Sequence, residues 1–414
     1  MLQFPSPPLR NPWIAATATM ALLCAASSAQ NFTMQVANPD PLGLGAFVPD
    51  MMQDVDLDLT GGIKGDFSCS LRTEGEYNSN FFLTDGDEED EFSFQVTPTI
   101  RYTSDPEGGA AVTFSGYYNP TYRAYIDNSD LNDFDQNGYA TLTIEGSKTL
   151  VSMYGKYAEV SGSDRLTGDF VDGTVFTGGI RAARQIAPRT SLFASWTGSI
   201  SEYEDSTNVG AEIYTTSFGG LWQATERMQI GSSLRYVVRE SDNIDTVDSW
   251  ALLLEARYKL GERIWLSASL GPEFGNDSGV DGDETSVRLT GDITARYAIN
   301  ERLTWTTSLR SASVPAPNET NYLVNDISLN TALQRRFVRG WLSTGLEYNF
   351  SDYEDVGTVT TSRGDENNLS WFTSYRRMVF SERVGLDATL RYTVNNGLVD
   401  WDQWLVSMGV NVAF

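Results

Sequence analysis

"WLVSMGVNVAF" (residues 404–414) divides cleanly when it is read in steps of two. One set is Trp404, Val406, Met408, Val410, Val412 and Phe414, all apolar. The set between them, Leu405, Ser407, Gly409, Asn411 and Ala413, is mostly small or polar. In a β-strand successive side chains point to opposite faces, so a period of two marks a strand between two unlike environments.

The same period recurs from about residue 66 onward. In "MQIGSSLRYVV" (228–238), Met228, Ile230, Leu234, Tyr236 and Val238 oppose Gln229, Gly231, Ser233 and Arg235. "WALLLEARYKL" (250–260), "VRLTGDITARYAI" (287–299) and "VGLDATLRYTV" (384–394) divide in the same way. These segments run about ten to fifteen residues, whereas strands of soluble proteins average about five or six. A strand tilted near 45° needs roughly nine to eleven residues to cross a bilayer. The connections also alternate. "TERM" (225–228), "LGER" (260–263), "INER" (299–302), "FVRG" (337–340) and "FSER" (380–383) are tight. "TDGDEEDE" (84–91), "DNSDLNDFDQNG" (127–138), "SEYEDSTN" (201–208), "RESDNIDTVD" (239–248), "EFGNDSGVDGDE" (273–284) and "SDYEDVGTVTTSRGDENN" (351–368) are long and acidic. Short turns on one rim and long loops on the other are the plan of a membrane barrel. The pattern predicts an all-β chain, a transmembrane antiparallel up-and-down β-barrel of about eighteen strands, or sixteen, since the alternation blurs between 105 and 175.

Composition narrows the function. The formal charge of -26 argues against a nucleic-acid partner, which needs a basic face. There is no histidine, which excludes Ser–His, Cys–His and Asp–His chemistry and histidine-ligated metals. No enzyme activity and no cofactor are expected. Lysine occurs only at Lys64, Lys148, Lys156 and Lys259, so the positive charge is almost all arginine. "DFDQNG" (Asp133–Gly138) matches the first half of a calcium loop, but Ile144 stands where the closing glutamate belongs. A solvated turn is the expected reading, and no metal site is assigned.

Residues 1–29 combine Arg10, an apolar run from Trp13 to Ala26 and a small-residue site at Ser27-Ser28-Ala29, the pattern of a secretory signal peptide. Residues 30–65 hold no period and read as a periplasmic lead-in; residues 66–414 are the expected barrel.

On that barrel the polar set faces inward. Its charges are the expected pore lining: Arg101, Arg181, Arg235, Glu255, Arg257, Arg288, Asp292, Arg296, Arg310, Glu347, Arg376, Asp387 and Arg391, with Arg72, Glu74, Glu76 and Glu145 on the same face. Opposed charges across a pore sort solutes by their field. Acidic loops draw cations to the mouth while the wall is mildly basic, so the two oppose each other, and a weak cation preference is the expected outcome. The outward exceptions, Arg184, Arg335 and Arg377, all lie beside short turns, where headgroups would be. Tyr117, Tyr118, Trp222, Trp265, Trp305, Trp341, Tyr348, Phe350, Trp371 and Trp401 lie near segment ends and read as interfacial girdles.

Signal segment, alternating strands, loop asymmetry and a terminal phenylalanine together resemble the bacterial outer-membrane porin superfamily, most closely its type 2 β-barrel porins. The resemblance implies that Trp404, Val406, Met408, Val410, Val412 and Phe414 form the closing strand and the signal read by the barrel-insertion machinery. It also implies an outer-membrane location in a Gram-negative-type bacterium, contact with outer-membrane lipid, passive transport of small hydrophilic solutes or ions, and a homotrimer as one assembly. Two other readings stay open: a conduit for export of a secreted polysaccharide, and a non-conducting structural or adhesin barrel.

Overall fold

The computed structural model describes residues 65–86, 88–104, 112–163, 170–204, 210–241, 244–279, 282–315, 322–355, 364–379, 383–397 and 399–414. The expected signal segment and the lead-in up to residue 64 lie outside the described residues.

Twenty strands follow one another: β1 (Gly65–Asn78), β2 (Glu91–Ser104), β3 (Val112–Tyr118), β4 (Thr121–Tyr125), β5 (Asp133–Asp135), β6 (Asn137–Glu145), β7 (Thr149–Ser163), β8 (Phe170–Ala187), β9 (Thr190–Tyr203) and β10 (Ala211–Thr225). Then come β11 (Met228–Ser241), β12 (Ile244–Leu260), β13 (Ile264–Gly279), β14 (Gly282–Asn300), β15 (Leu303–Pro315), β16 (Tyr322–Phe337), β17 (Gly340–Asp355), β18 (Glu366–Met378), β19 (Val384–Asn396) and β20 (Trp401–Ala413). Each pairs antiparallel with its neighbours in one sheet, and β1 pairs with β20, so the sheet closes. β3 and β4 both lie against β2 and form one broken stave, interrupted at Asn119-Pro120 because proline has no amide to give the ladder. β5 and β6 make the next stave, so the barrel has eighteen staves.

The faces of this sheet reverse the usual order of a soluble protein. Large apolar side chains such as Phe218, Leu252, Leu254, Val287, Leu289 and Met408 are exposed on the outside. The residues between them, Ser199, Ser233, Ser249, Thr290, Ser370 and Thr393, are buried inside. Apolar groups leave water because the transfer is favourable. An apolar exterior around a polar interior therefore marks a barrel whose outer solvent is hydrocarbon. Closure supplies what such a solvent demands, a sheet with no unpaired edge. Among the described residues no helix is long and apolar enough to cross a membrane.

The tight turns expected at 225–228, 260–263, 299–302 and 337–340 lie where the sequence places them, and 380–382 of the fifth lie outside the described residues, but two of the long acidic segments are mostly strand. β11 runs to Ser241 and β12 begins at Ile244, so most of 239–248 is strand. β13 runs to Gly279 and β14 begins at Gly282, so most of 273–284 is strand as well. β14, at 19 residues, is roughly 60 Å long at about 3.3 Å per residue. Tilted near 40° it spans roughly 45 Å, more than the hydrocarbon core of about 30 Å. The described parts of these acidic segments thus continue the wall beyond the membrane.

The short-turn rim has a regular detail. Seven strands that return from this rim are each directly preceded by a basic residue: Lys148, Arg189, Arg227, Arg263, Arg302, Arg339 and Arg383. Each accepts, through its backbone carbonyl, an amide hydrogen bond from the next stave, for example Lys259 to Arg227 at 2.8 Å and Met378 to Arg339 at 2.7 Å.

Candidate functional site

The candidate site is the charged interior. Strand register and burial together set which residues face it. In β11, Ser233, Arg235, Val237 and Arg239 are buried, while Leu234 is exposed. Carried around the barrel by the pairing, this parity puts Arg101, Arg181, Arg235, Glu255, Arg257, Arg288, Asp292, Arg296, Arg310, Glu347, Arg376, Asp387 and Arg391 on the interior face. The same parity puts Arg72, Glu74, Glu76 and Glu145 inside, and Arg184, Arg335 and Arg377 outside. It puts Trp404, Val406, Met408, Val410, Val412 and Phe414 on the outer face.

The interior charges gather in three groups. The first crosses the seam where β1 meets β20. Arg72 on β1 donates to Asp387 on β19 at 2.7 Å and also pairs with Glu74. Arg376 on β18 lies 3.6 Å from Asp387. These contacts pass over β20 at Gly409. A Cβ there would stand 2.9 Å from the Asp387 Oδ2 and 3.2 Å from the Glu74 Oε2. The absence of a side chain at that place lets the clamp close. Gly409→Val is therefore expected to separate Arg72 from Asp387 and cost about 1–3 kcal/mol, as overpacking does. Loss of heat resistance of the folded band on a cold gel would show it.

The second group lies on β16 to β19. Arg391 donates to Glu347 at 2.7 Å, and its guanidinium stands 5.7 Å from the centre of the Phe372 ring. Asn330 donates to the other Glu347 oxygen at 3.1 Å. A carboxylate with both oxygens engaged is a fixed charge on the wall.

The third group lies where the wall folds inward between β11 and β15. Arg239 donates through Nη2 to Glu273 at 2.8 Å, through Nη1 to Ser249 at 2.8 Å, and through Nε to the Ser313 carbonyl of β15 at 3.0 Å. Arg235 donates to Thr290 at 2.6 Å and to Glu273 at 3.3 Å. Above them Val314 packs on Ile213 and Val237. In a round barrel of eighteen staves, strands four apart lie beyond the reach of such contacts, so the wall here bends into the lumen. Gly291 is part of the bend. Its φ of 137° suits glycine, and a Cβ there would collide with the Ser269 carbonyl. The fold leaves a small, partly open cavity of about 30 Å³ lined by Arg235, Arg239, Arg310 and Glu273 with Thr197, Thr215 and Thr290.

A connector narrows the same end from the other side. After β1 the chain turns inward, and Asn80, Phe81 and Leu83 are buried. Asn80 donates to the carbonyls of Thr84 at 2.9 Å and Asp402 at 3.1 Å, and Gln403 donates to the Asn80 carbonyl at 3.0 Å. The Phe81 ring meets Tyr125, two staves from β1, at 5.0 Å and Phe170, on β8, at 5.8 Å.

Arg239, Glu273, Arg123 and the connector are the residues that the sequence reading leaves out of the site. The first two fall in segments whose acidic composition resembles loops, yet Arg239 continues the run Ser233, Arg235, Val237 and Glu273 continues Ser269, Gly271. Arg123 lies in the blurred region, where its Nη1 donates to the Ser161 carbonyl at 2.8 Å and stands 3.9 Å from Asp135. Asp133–Asp135 pairs as strand β5 with Thr121–Arg123, so the half calcium motif does not form a loop. Four residues expected in the girdles face inward instead. Trp265 is in contact with Lys259 and Arg296, Trp401 is buried, and Tyr117 and Trp341 share the interior parity. Tyr118, Trp222, Trp305, Tyr348 and Trp371 are on the outside.

No family model matches the chain, and no curated protein matches it. Among solved structures it is similar to Pseudomonas aeruginosa OccK2 (OpdF), with TM-score 0.46 and 14% identity over 84% of this chain and 98% of that one. A BenF-like porin from Pseudomonas fluorescens Pf-5 gives TM-score 0.46 and 13% identity over 85% and 100%. Acinetobacter baumannii OccAB1 gives 0.45 and 12% over 87% and 100%. The fold itself rests on the strand register described above.

Proposed function

We propose that this chain is an outer-membrane channel of the porin kind, through which small hydrophilic solutes or ions diffuse passively. The observation that carries this reading is the closed barrel of eighteen staves with an apolar exterior and a charged interior. A barrel of that strand number encloses an aqueous lumen unless something fills it. The thirteen interior charges named above act as its lining in this reading, and none acts as a catalyst. Membership of the type 2 β-barrel porins, removal of residues 1–29 on export, engagement of the insertion machinery by the β20 face, and a homotrimer belong to the same proposal.

The Phe81 connector and the β11–β15 contact favour a second reading, a barrel whose lumen is held closed or opened by a partner, as in an export conduit. Single-channel recording in a planar bilayer under a KCl gradient separates the two. Stepwise openings with a weakly cation-selective reversal potential are expected. An anion-selective sign would mean that the basic wall outweighs the acidic rim, and a folded but silent barrel would favour the closed reading.

A further inference from the structure

We propose that the short-turn rim is a collar for anionic lipid headgroups, anchored on the barrel exterior by Arg184, Arg335 and Arg377. The inference deepens the membrane-channel reading and rests on it.

Lysine and arginine are 29 of 414 residues, so basic side chains directly before seven of the eight strands that return from this rim are not an effect of composition; the eighth, β3, follows Ala111. All seven are exposed. The three outward arginines add to this collar by register. Arg184 pairs with Thr149, which follows Lys148. Arg335 pairs with Leu303, which follows Arg302. Arg377 pairs with Gly340, which follows Arg339. Each outward arginine is thus at the strand end nearest the turn, one position out of register from the turn cation, whose carbonyl accepts from Gln185, Arg336 or Met378. A glutamate directly precedes four of the seven turn cations, Arg227, Arg263, Arg302 and Arg383, and none directly precedes Lys148, Arg189 or Arg339.

The side on which Arg184, Arg335 and Arg377 emerge identifies the anion. A side chain on the lipid-facing surface of a membrane barrel meets lipid, and Arg335 also stands 5.4 Å from the centre of the Phe337 ring. At the end of a strand that lipid is a headgroup, and its anion is a phosphate, which guanidinium binds through two hydrogen bonds. The opposite rim is of the other kind. Its outward carboxylates accept from tyrosines, Tyr157 to Glu159 at 2.7 Å and Tyr214 to Glu212 at 2.5 Å. The barrel thus has one end made for phosphate and one made to repel it.

The test is to fold the full chain into phosphatidylcholine vesicles carrying a trace of dansyl-phosphatidylglycerol or, separately, dansyl-phosphatidylcholine. Energy transfer from tryptophan reads the lipid next to the barrel, and the heat-dependent gel shift reads whether it has folded. Enrichment of the phosphatidylglycerol probe by about five-fold over the phosphatidylcholine probe is expected, the scale of one surface cation on an anionic lipid. It should fall as NaCl is raised, and vanish in the triple variant Arg184→Gln, Arg335→Gln, Arg377→Gln. Equal transfer from both probes, or enrichment unchanged in a folded triple variant, overturns the collar while leaving the barrel intact. Binding of the collar to isolated cell-wall sacculi with no lipid preference overturns it in favour of the wall. Failure of the natural chain to give a heat-shifted band overturns the membrane reading, and the collar with it.

Discussion

Replacing Leu254 with arginine is expected to destabilise the folded barrel by about 2–4 kcal/mol in lipid vesicles, the cost of a cation on the lipid face near the middle of a bilayer. Leu254 is 70% exposed on the outside of β12, opposite Ser232 and Leu270. In a water-soluble barrel an exposed leucine is free to become arginine, and the change would fall within about 0.5 kcal/mol. The two solvents therefore predict different results from one substitution. A urea titration of the vesicle-folded protein measures it. A cost below about 0.5 kcal/mol would remove Leu254 from the hydrocarbon and with it the argument from the reversed faces.

Glu273→Ala is expected to cost about 3–5 kcal/mol, because it leaves buried arginines without their shared carboxylate. The Glu273 and Arg239 side chains are 1% and 3% exposed, and Arg235 is held by the same carboxylate. Much of that cost is the penalty of uncompensated buried charge rather than the worth of the pair. The structure has a local way to relieve it, which is to let Arg239 swing into the lumen and release the Ser313 carbonyl. The variant is therefore expected to show both a lower unfolding midpoint and a larger single-channel conductance. Glu273→Gln separates charge from volume, and should reproduce the conductance change with less loss of packing. Unchanged conductance in a destabilised variant would mean that the β11–β15 contact does not limit flow.

The staves were legible because their signal is repeated. An alternation carried through eighteen segments survives local exceptions, and the tight turns between them are short enough to recognise. Where the two sides of a strand are less distinct, as at Asn119-Pro120 and Gln136, one stave breaks into two strands and the count blurs. Parity also located the interior charges, since a face is a property of the strand alone. It did not say which charges meet. Arg239 finds Ser313 because the wall bends, and the bend depends on backbone geometry at places such as Gly291 that no alternation announces. Trp265 and Trp401 misled because nearness to a turn is not the same as facing lipid: both are on the interior parity, and Trp265 lies against cations. The acidic extensions misled through composition, since aspartate and glycine suggest loops while the pairing of Asn276 to Thr285 and Asp277 to Glu284 continues the ladder.

The seam has a consequence for the order of assembly. Arg72 and Asp387 are 315 residues apart in sequence, yet they face each other across β20. Until β20 exists, one side of β1 has no strand to receive its amides and carbonyls, and hydrocarbon offers no substitute. The nascent sheet therefore cannot enter the membrane stave by stave as helices do. Its first strand must be sheltered for the whole time the chain takes to be made, and then committed together with its last. Contacts this distant form slowly, because the entropy of closing the loop is lost before the contact returns anything. The clamp over Gly409 forms only with that closing step. Variants there should thus lengthen the interval in which the unclosed sheet is open to proteases, even where the finished barrel withstands the change.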